Sequence, residues 1–162
     1  NVEKWLKKFV KNFVRPPQGN DRAQILLVAS GDAKLAVANT YYYALMLSGK
    51  KGKEQQKAAM NVKPIFPNQK GRGAHINISG AGILNFSQNK KNAVKFIEFL
   101  LLAESQAHIS NNSFEFPILE NIQTNDLIKK ISGFKGDNKI DVEAYGKRQA
   151  QAFKLMKKAG WN

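Results

Sequence analysis

Stretches with helical spacing alternate with short extended ones along the whole chain, and each change of period falls at a proline, a glycine or a capping side chain. That alternation constrains the fold more than any single residue does. Val2, Trp5, Leu6, Phe9, Val10 and Phe13 line one face of a first helix, with Lys4, Lys7, Lys8 and Lys11 on the other, and Pro16 and Pro17 stop it. Asn20 or Asp21 is placed to cap a second helix over 22–30, and Gly31 sits where a residue just past a helix end belongs. Leu35 and Val37, spaced by small alanines, predict a short buried strand. The next helix starts at Asn39 and Thr40, carries Tyr41, Tyr42, Tyr43, Leu45, Met46 and Leu47, and ends near Gly49.

A lysine-rich loop and helix start follow over 48–57, then an extended run from Val62 to Phe66 closed by Pro67, and a basic turn from Lys70 to Gly73. Ile76 and Ile78 alternate with Asn77 and Ser79, a strand signal. Asn89 opens the strongest helix, with Ala93, Phe96, Ile97, Leu100 and Leu101 as its apolar stripe, running on into 104–109. Phe114, Phe116 and Ile118 alternate as another strand. A short helix capped by Thr124 reaches Ile131, and 133–139 is a loop. A last helix over 146–158 turns Ala150, Phe153, Leu155 and Met156 inward and ends at Gly160. The pattern is α/β with a mostly parallel sheet.

At 162 residues the chain is long enough to bury a core without staples. It has no cysteine, which excludes disulfides, thiolate metal sites and cysteine nucleophiles. No run is long and apolar enough to span a membrane. Lys and Arg total 26 against 12 Asp and Glu, a net charge of +14. Such a field attracts anions, nucleic acid and acidic membrane surfaces. A compositional bias toward Lys, Asn and Ile accounts for it equally well. The chain opens at Asn1 without an initiator Met or signal peptide, so it reads as a processed chain, an expression product or a piece of a longer protein.

Catalytic signatures are missing. Ser79 is not in a nucleophile elbow, the glycines around Lys50 and Lys51 lack phosphate-loop spacing, and Gly80-Ala81-Gly82 is too short for a dinucleotide fingerprint. His75 and His108 have no neighbouring ligand pattern and read as structural. The unusual feature is Tyr41-Tyr42-Tyr43, three of four tyrosines in a row at a helix start. Helix N-termini carry partial positive charge, which favours phenolate over phenol. Phenolate is a hard oxygen donor suited to a hard cation such as ferric iron. An aromatic cluster with one or two of the tyrosines in the core explains the same three residues, and from composition alone it is the stronger reading.

The segment from Gly31 through Asn39-Thr40-Tyr41-Tyr42-Tyr43 resembles the twin-tyrosine segment of periplasmic ferric-iron-binding proteins, the substrate-binding components of iron ABC transporters. Pro17-Gln18-Gly19-Asn20-Asp21, Phe66-Pro67-Asn68-Gln69, the run from Arg72 to Gly82, the helix from Asn89 and Phe114-Glu115-Phe116-Pro117 extend the resemblance, in order, over almost the whole chain. It implies a periplasmic-binding-protein-like fold (type II, two-lobed, hinged), of which this chain would be an incomplete C-terminal portion. Residues 1–74 and 113–162 would form the tyrosine-bearing lobe, and 75–112 would cross to the other. Fe3+, with a possible synergistic anion, would be held by Tyr41 and Tyr42, with Asn39 and Asn20 as anion or supporting residues and Tyr43 as packing. Leu45 stands where many relatives carry an arginine.

The implied partners are an ABC transporter permease in the inner membrane and a separate N-terminal half; the implied compartment is the periplasm, and the protein is not an enzyme. A binding protein of the same fold for another anion or small solute is one alternative. A basic nucleic-acid-binding module is another, though its aromatic and basic residues are not interleaved as stacking platforms require, so no nucleic acid is expected. By the resemblance, Phe96, Ile97 and Leu100 would lack the sheet they pack on, and an isolated chain would pack poorly there.

Overall fold

The computed structural model describes residues 1–139 and 141–161. Among them eight helices form: α1 (Val2–Val10), α2 (Asp21–Ala29), α3 (Thr40–Leu47), α4 (Lys53–Met60), α5 (Lys90–Leu100), α6 (Ala103–Ser113), α7 (Asp126–Ile131) and α8 (Glu143–Lys158). The helices therefore fall where the spacing predicts them, with ends that shift for local reasons. Asn20 caps α2 by accepting the Ala23 amide proton. Helix α7 is capped by Asn125 rather than Thr124: the Asn125 side chain accepts from the Ile128 amide at 3.0 Å. The Asn125 amide in turn donates to Asn111 Oδ1 at 2.7 Å, a tertiary contact that fixes which residue caps.

The expected continuous helix beyond Asn89 is two helices. The chain turns extended at Leu102, and the buried Gln106 side chain donates to the Leu100 carbonyl at 2.8 Å, satisfying a helix end left without a partner. The same side chain accepts from the Ile118 amide at 3.0 Å and pins the segment that follows α6.

The core has two parts, and α3 belongs to both. Ala44 packs with Phe114, Ile128 and Ile131, with Tyr41, Tyr43, Leu45 and Phe116 around them. Met46 packs with Ile25 and Ala59, with Tyr42, Tyr43, Leu47 and Val62 around them. A helix with this sequence has no polar face to give to water, so it is covered by α2, α4 and α7. Away from that core, α1 meets α8. Trp161 lies against Phe9 and Phe13, with ring centroids 5.6 and 5.2 Å away. Glu3 bridges Lys7 at 2.9 Å and Lys158 at 3.0 Å, and these two hydrogen bonds hold its carboxyl below its ordinary pKa.

The predicted sheet is not formed. Among the described residues the only bridge is the isolated parallel pair Ala74 and Gly136. Leu35 and Val37 are not a buried strand but lie about four-fifths exposed, at 77% and 80%. The runs 62–66, 76–79 and 114–118 form no ladder, and Phe114, with φ +63°, is left-handed rather than extended. A strand is a two-body structure, and these runs find no second strand to exchange N–H and C=O groups with. The stripe of α5 shares that fate: Phe96 is 60% exposed and α5 buries no residue. In α8 the expected inward set is also corrected. Leu155 and Met156 are half-buried, whereas Ala150 and Phe153 face solvent, because α1 covers only the last turns.

Two substitutions test this packing. Met46 is fully buried, so Met46→Ala should cost about 2–5 kcal/mol in urea unfolding. Gly73 has φ +101°, and a Cβ there would meet the Gly136 backbone at 2.7 Å. Gly73→Ala should therefore destabilise by about 1–3 kcal/mol and open the Ala74–Gly136 bridge, seen as faster exchange of the Asp137 amide, which donates to Ala74 O.

Candidate metal-binding site at the head of helix α3

The twin tyrosines sit in the first turn of α3. Their rings stack obliquely, with centroids 4.3 Å apart and planes 38° to each other. Neighbouring helical positions diverge by about 100°, so Tyr41 leans toward the Phe114 part of the core and Tyr42 toward the Met46 part. Both residues are half-buried. Tyr43 differs: it touches both parts of the core and its hydroxyl donates to the Val62 carbonyl at 3.2 Å. Burial pushes its pKa up. It is a packing residue.

The start of α3 is stapled to the start of α2. Both the backbone amide and the side-chain Nδ2 of Asn39 donate to Asp21 Oδ2, at 2.7 and 2.8 Å. Asn39 Oδ1 accepts from Asn77 Nδ2 at 2.9 Å. Asn39 therefore spends its side chain on fixing the helix head, not on capping it, and no side chain caps α3. Asn20 sits one residue before α2 and spends its carbonyl oxygen on that helix. Close by, Ser79 donates to Glu115 Oε1 at 2.7 Å and Ser113 to Glu115 Oε2 at 3.3 Å. Asp21, Asn77, Ser79 and Glu115 are the residues that sequence reading missed. The only signal for Glu115 was a lone carboxylate between two phenylalanines.

The expectation of a favoured phenolate is corrected for the metal-free chain. The pKa of Tyr41 is pushed up to about 12. The hydrogen bond with Tyr42 is the main cause, followed by partial burial and by negative charge on Tyr42, Asp21 and Glu115. The helix N-terminus does not outweigh two nearby carboxylates and a second phenol. Tyr41 thus rests protonated in the chain without metal.

The two histidines do not gather ligands. Tyr145 Oη lies 3.5 Å from His75 Nδ1, with the rings edge to face, and His108 is exposed on α6. Among the described residues no three His, Cys, Asp or Glu side chains cluster as a metal site.

Residues 2–136 match the family described as bacterial extracellular solute-binding protein. The chain is 44% identical over 97% of its length to iron uptake protein A1 of Synechocystis, covering 43% of that protein. A solved Trichodesmium structure (IdiA, FutA) in complex with iron and citrate ligands superposes with a TM-score of 0.93 at 43% identity, covering 99% of this chain and 50% of that one. The ferric binding protein of Campylobacter jejuni gives a TM-score of 0.92 at 35% identity, again over 50% of its chain. The chain thus spans about half the length of the relatives it matches. It has the expected periplasmic-binding-protein-like type II fold in part, even though its extended runs are unpaired.

The Tyr41 pKa gives a test. A free phenol ionises at about 10. Because the folded value is higher, the stability linked to protonated Tyr41 is whole below about pH 10 and is lost as pH rises through about 12. Alkaline absorbance titration should show one of the four tyrosines ionising last. Tyr42→Phe should bring that late phenol down toward its ordinary value.

Proposed function

Since this chain belongs to the bacterial extracellular solute-binding protein family, we propose that it supplies the tyrosine half of a ferric-iron site. The observation that carries the reading is the Tyr41–Tyr42 pair, half-buried, with rings 4.3 Å apart at the head of a buried helix. It occurs in a chain closely similar to proteins named for iron uptake and ferric binding. Iron is the cargo, and no covalent chemistry is performed on it.

The physical argument runs from charge. Fe3+ is hard and prefers oxygen donors, and its own field overrides the local factors that hold the phenol protons. Binding therefore exchanges two phenol protons for one trivalent ion. Two phenolates neutralise two of its three charges, and Asp21 and Glu115 supply further negative potential nearby. The remaining positions would be filled by groups of the facing lobe and by a synergistic anion. Asn20 and Asn39 are the candidates on this side: Asn39 holds the helix head and has one amide proton beyond its bond to Asp21. The boundaries that go with this reading place 1–74 and 113–162 in the tyrosine-bearing lobe and 75–112 in the lobe opposite. Closure of the two would exclude water around the iron, and an ABC permease in the inner membrane would receive it from the periplasm.

Ferric iron supplied as a weak chelate should produce a visible phenolate-to-iron charge-transfer band with release of about two protons per iron. Tyr41→Phe with Tyr42→Phe should abolish the band, and Tyr43→Phe should leave it. Since protons compete with iron, the band should fade as pH drops. A band that survives in the double variant would overturn the assignment.

A further inference from the structure

Positive charge is concentrated on one face of α1. Residues 1–15 hold Lys4, Lys7, Lys8, Lys11 and Arg15 against Glu3 alone, and Glu3 is spent on Lys7 and Lys158. Lys4, Lys8 and Lys11, spaced i, i+4, i+7, stand in one row on the exposed side of the helix. Among the described residues none of the three has an acidic partner. Trp5, three residues before Lys8 and so its neighbour on the helix surface, is 59% exposed, with its ring held in place by stacking on Phe9 at 5.1 Å. Val2, three residues before Trp5, is 63% exposed. The last turns of α8, which pack on α1, add the exposed Lys154 and Lys157.

Like charges four residues apart destabilise a helix, so the row works against α1 until something of opposite charge neutralises it. An acidic bilayer matches each part of this face. Its headgroups complement the ammonium groups, which long flexible stems carry to them, and its interfacial layer takes an indole, apolar in body and polar at its N–H. Clusters of four or more basic residues on an amphipathic helix recognise anionic lipid by this chemistry. We infer that the Lys4–Lys8–Lys11 row with Trp5 docks this chain on a bilayer rich in anionic lipid, α1 lying in the headgroup plane with its apolar face still against α8. Nucleic acid fits the face less well, because bases need open aromatic faces to stack on. Trp5 has one ring face covered by Phe9, and Phe9 and Phe13 are turned to Trp161. The inference is independent of iron.

The test is co-sedimentation of the chain with vesicles of phosphatidylcholine alone and of phosphatidylcholine mixed with phosphatidylglycerol. The chain should bind the anionic vesicles at least about tenfold more tightly, and the difference should shrink as salt is raised. Lys4→Gln with Lys8→Gln and Lys11→Gln should lose about tenfold or more of that binding. Lys53→Gln with Lys57→Gln and Lys91→Gln removes the same charge from exposed positions elsewhere and should bind as the unaltered chain does, which separates a built face from overall positive charge. Slow exchange within α3 in both triple variants shows that the fold survives. Tryptophan emission should shift to the blue on the anionic vesicles. Trp5→Phe, which leaves only Trp161 packed on Phe9 and Phe13, should remove the shift. Equal binding to both kinds of vesicle would overturn the inference, as would equal losses in the two triple variants or a shift that survives Trp5→Phe. So would a single-stranded oligonucleotide that binds the α1 lysines more tightly than the anionic vesicles at the same salt. Release from the vesicles by inorganic phosphate, at an ionic strength where chloride leaves the chain bound, would assign the lysines to free phosphate instead and equally overturn it.

Discussion

Helix α3 is apolar on every side, and the arrangement of the molecule follows from that constraint. A helix such as Thr40–Leu47 has no face to offer water, so α2, α4 and α7 must enclose it, and Ala44 and Met46 become the centres of the two core clusters. Enclosure leaves only the ends open. Three tyrosines occupy the N-terminal end, and their different fates follow from angle alone. Tyr43 packs against both clusters, while Tyr41 and Tyr42 lie against one cluster each. Burying the Val/Leu/Met-sized side chains of such a core contributes about 1.5–3 kcal/mol each. The hydrogen bonds to the Asp21 carboxylate at the helix head contribute about 1.5–3 kcal/mol apiece. The core therefore fixes where α3 lies, and the Asp21–Asn39 contacts fix how its first turn is presented.

The electrostatics of that first turn run against a simple helix-dipole argument. The dipole is equivalent to about half a charge, whereas Asp21 and Glu115 carry whole charges and Tyr42 is a hydrogen-bonded neighbour. The result is a phenol harder to ionise than a free one. For a trivalent ion this is no obstacle, since the ion brings the field that removes the proton. For a monovalent or weakly polarising cation it is one.

The helices were legible in the sequence because a helix is a local object: its spacing, its caps and its stops lie within one stretch of chain. Asn20 capping α2 and Gly31 following it with φ +88° are both visible in the residues. What was not legible depended on partners. Thr124 and Asn125 are both good caps, and Asn111 on another helix decides between them. Leu35, Val37, Ile76 and Ile78 alternate correctly for strands, but pattern cannot say whether a second strand lies alongside. The tyrosine pair was legible as a peculiarity. Its supports were not, because Asp21, Asn77 and Glu115 come from three different segments.

Those supports also explain how the extended runs keep their paths without a sheet. At each run a side chain stands where a neighbouring strand would be. Gln69 both accepts from the Lys135 amide at 2.7 Å and donates to its carbonyl at 3.1 Å, the two bonds a ladder partner would make. Asn77 reaches Asn39, Ser79 reaches Glu115, and Gln106 receives the Ile118 amide. Phe134 lies between Phe66, stacked at 4.0 Å, and Phe116 at 5.5 Å, giving the same region a small apolar hold. Side-chain substitutes of this kind set direction, but they leave backbone groups unspent and cover little apolar area. The tyrosine-bearing part has its own core and needs no more. Beyond these ties, α5 leaves Phe96 and Phe99 exposed while Ile97 and Leu100 are partly buried, and α6 buries Ser105, Gln106 and Ser110.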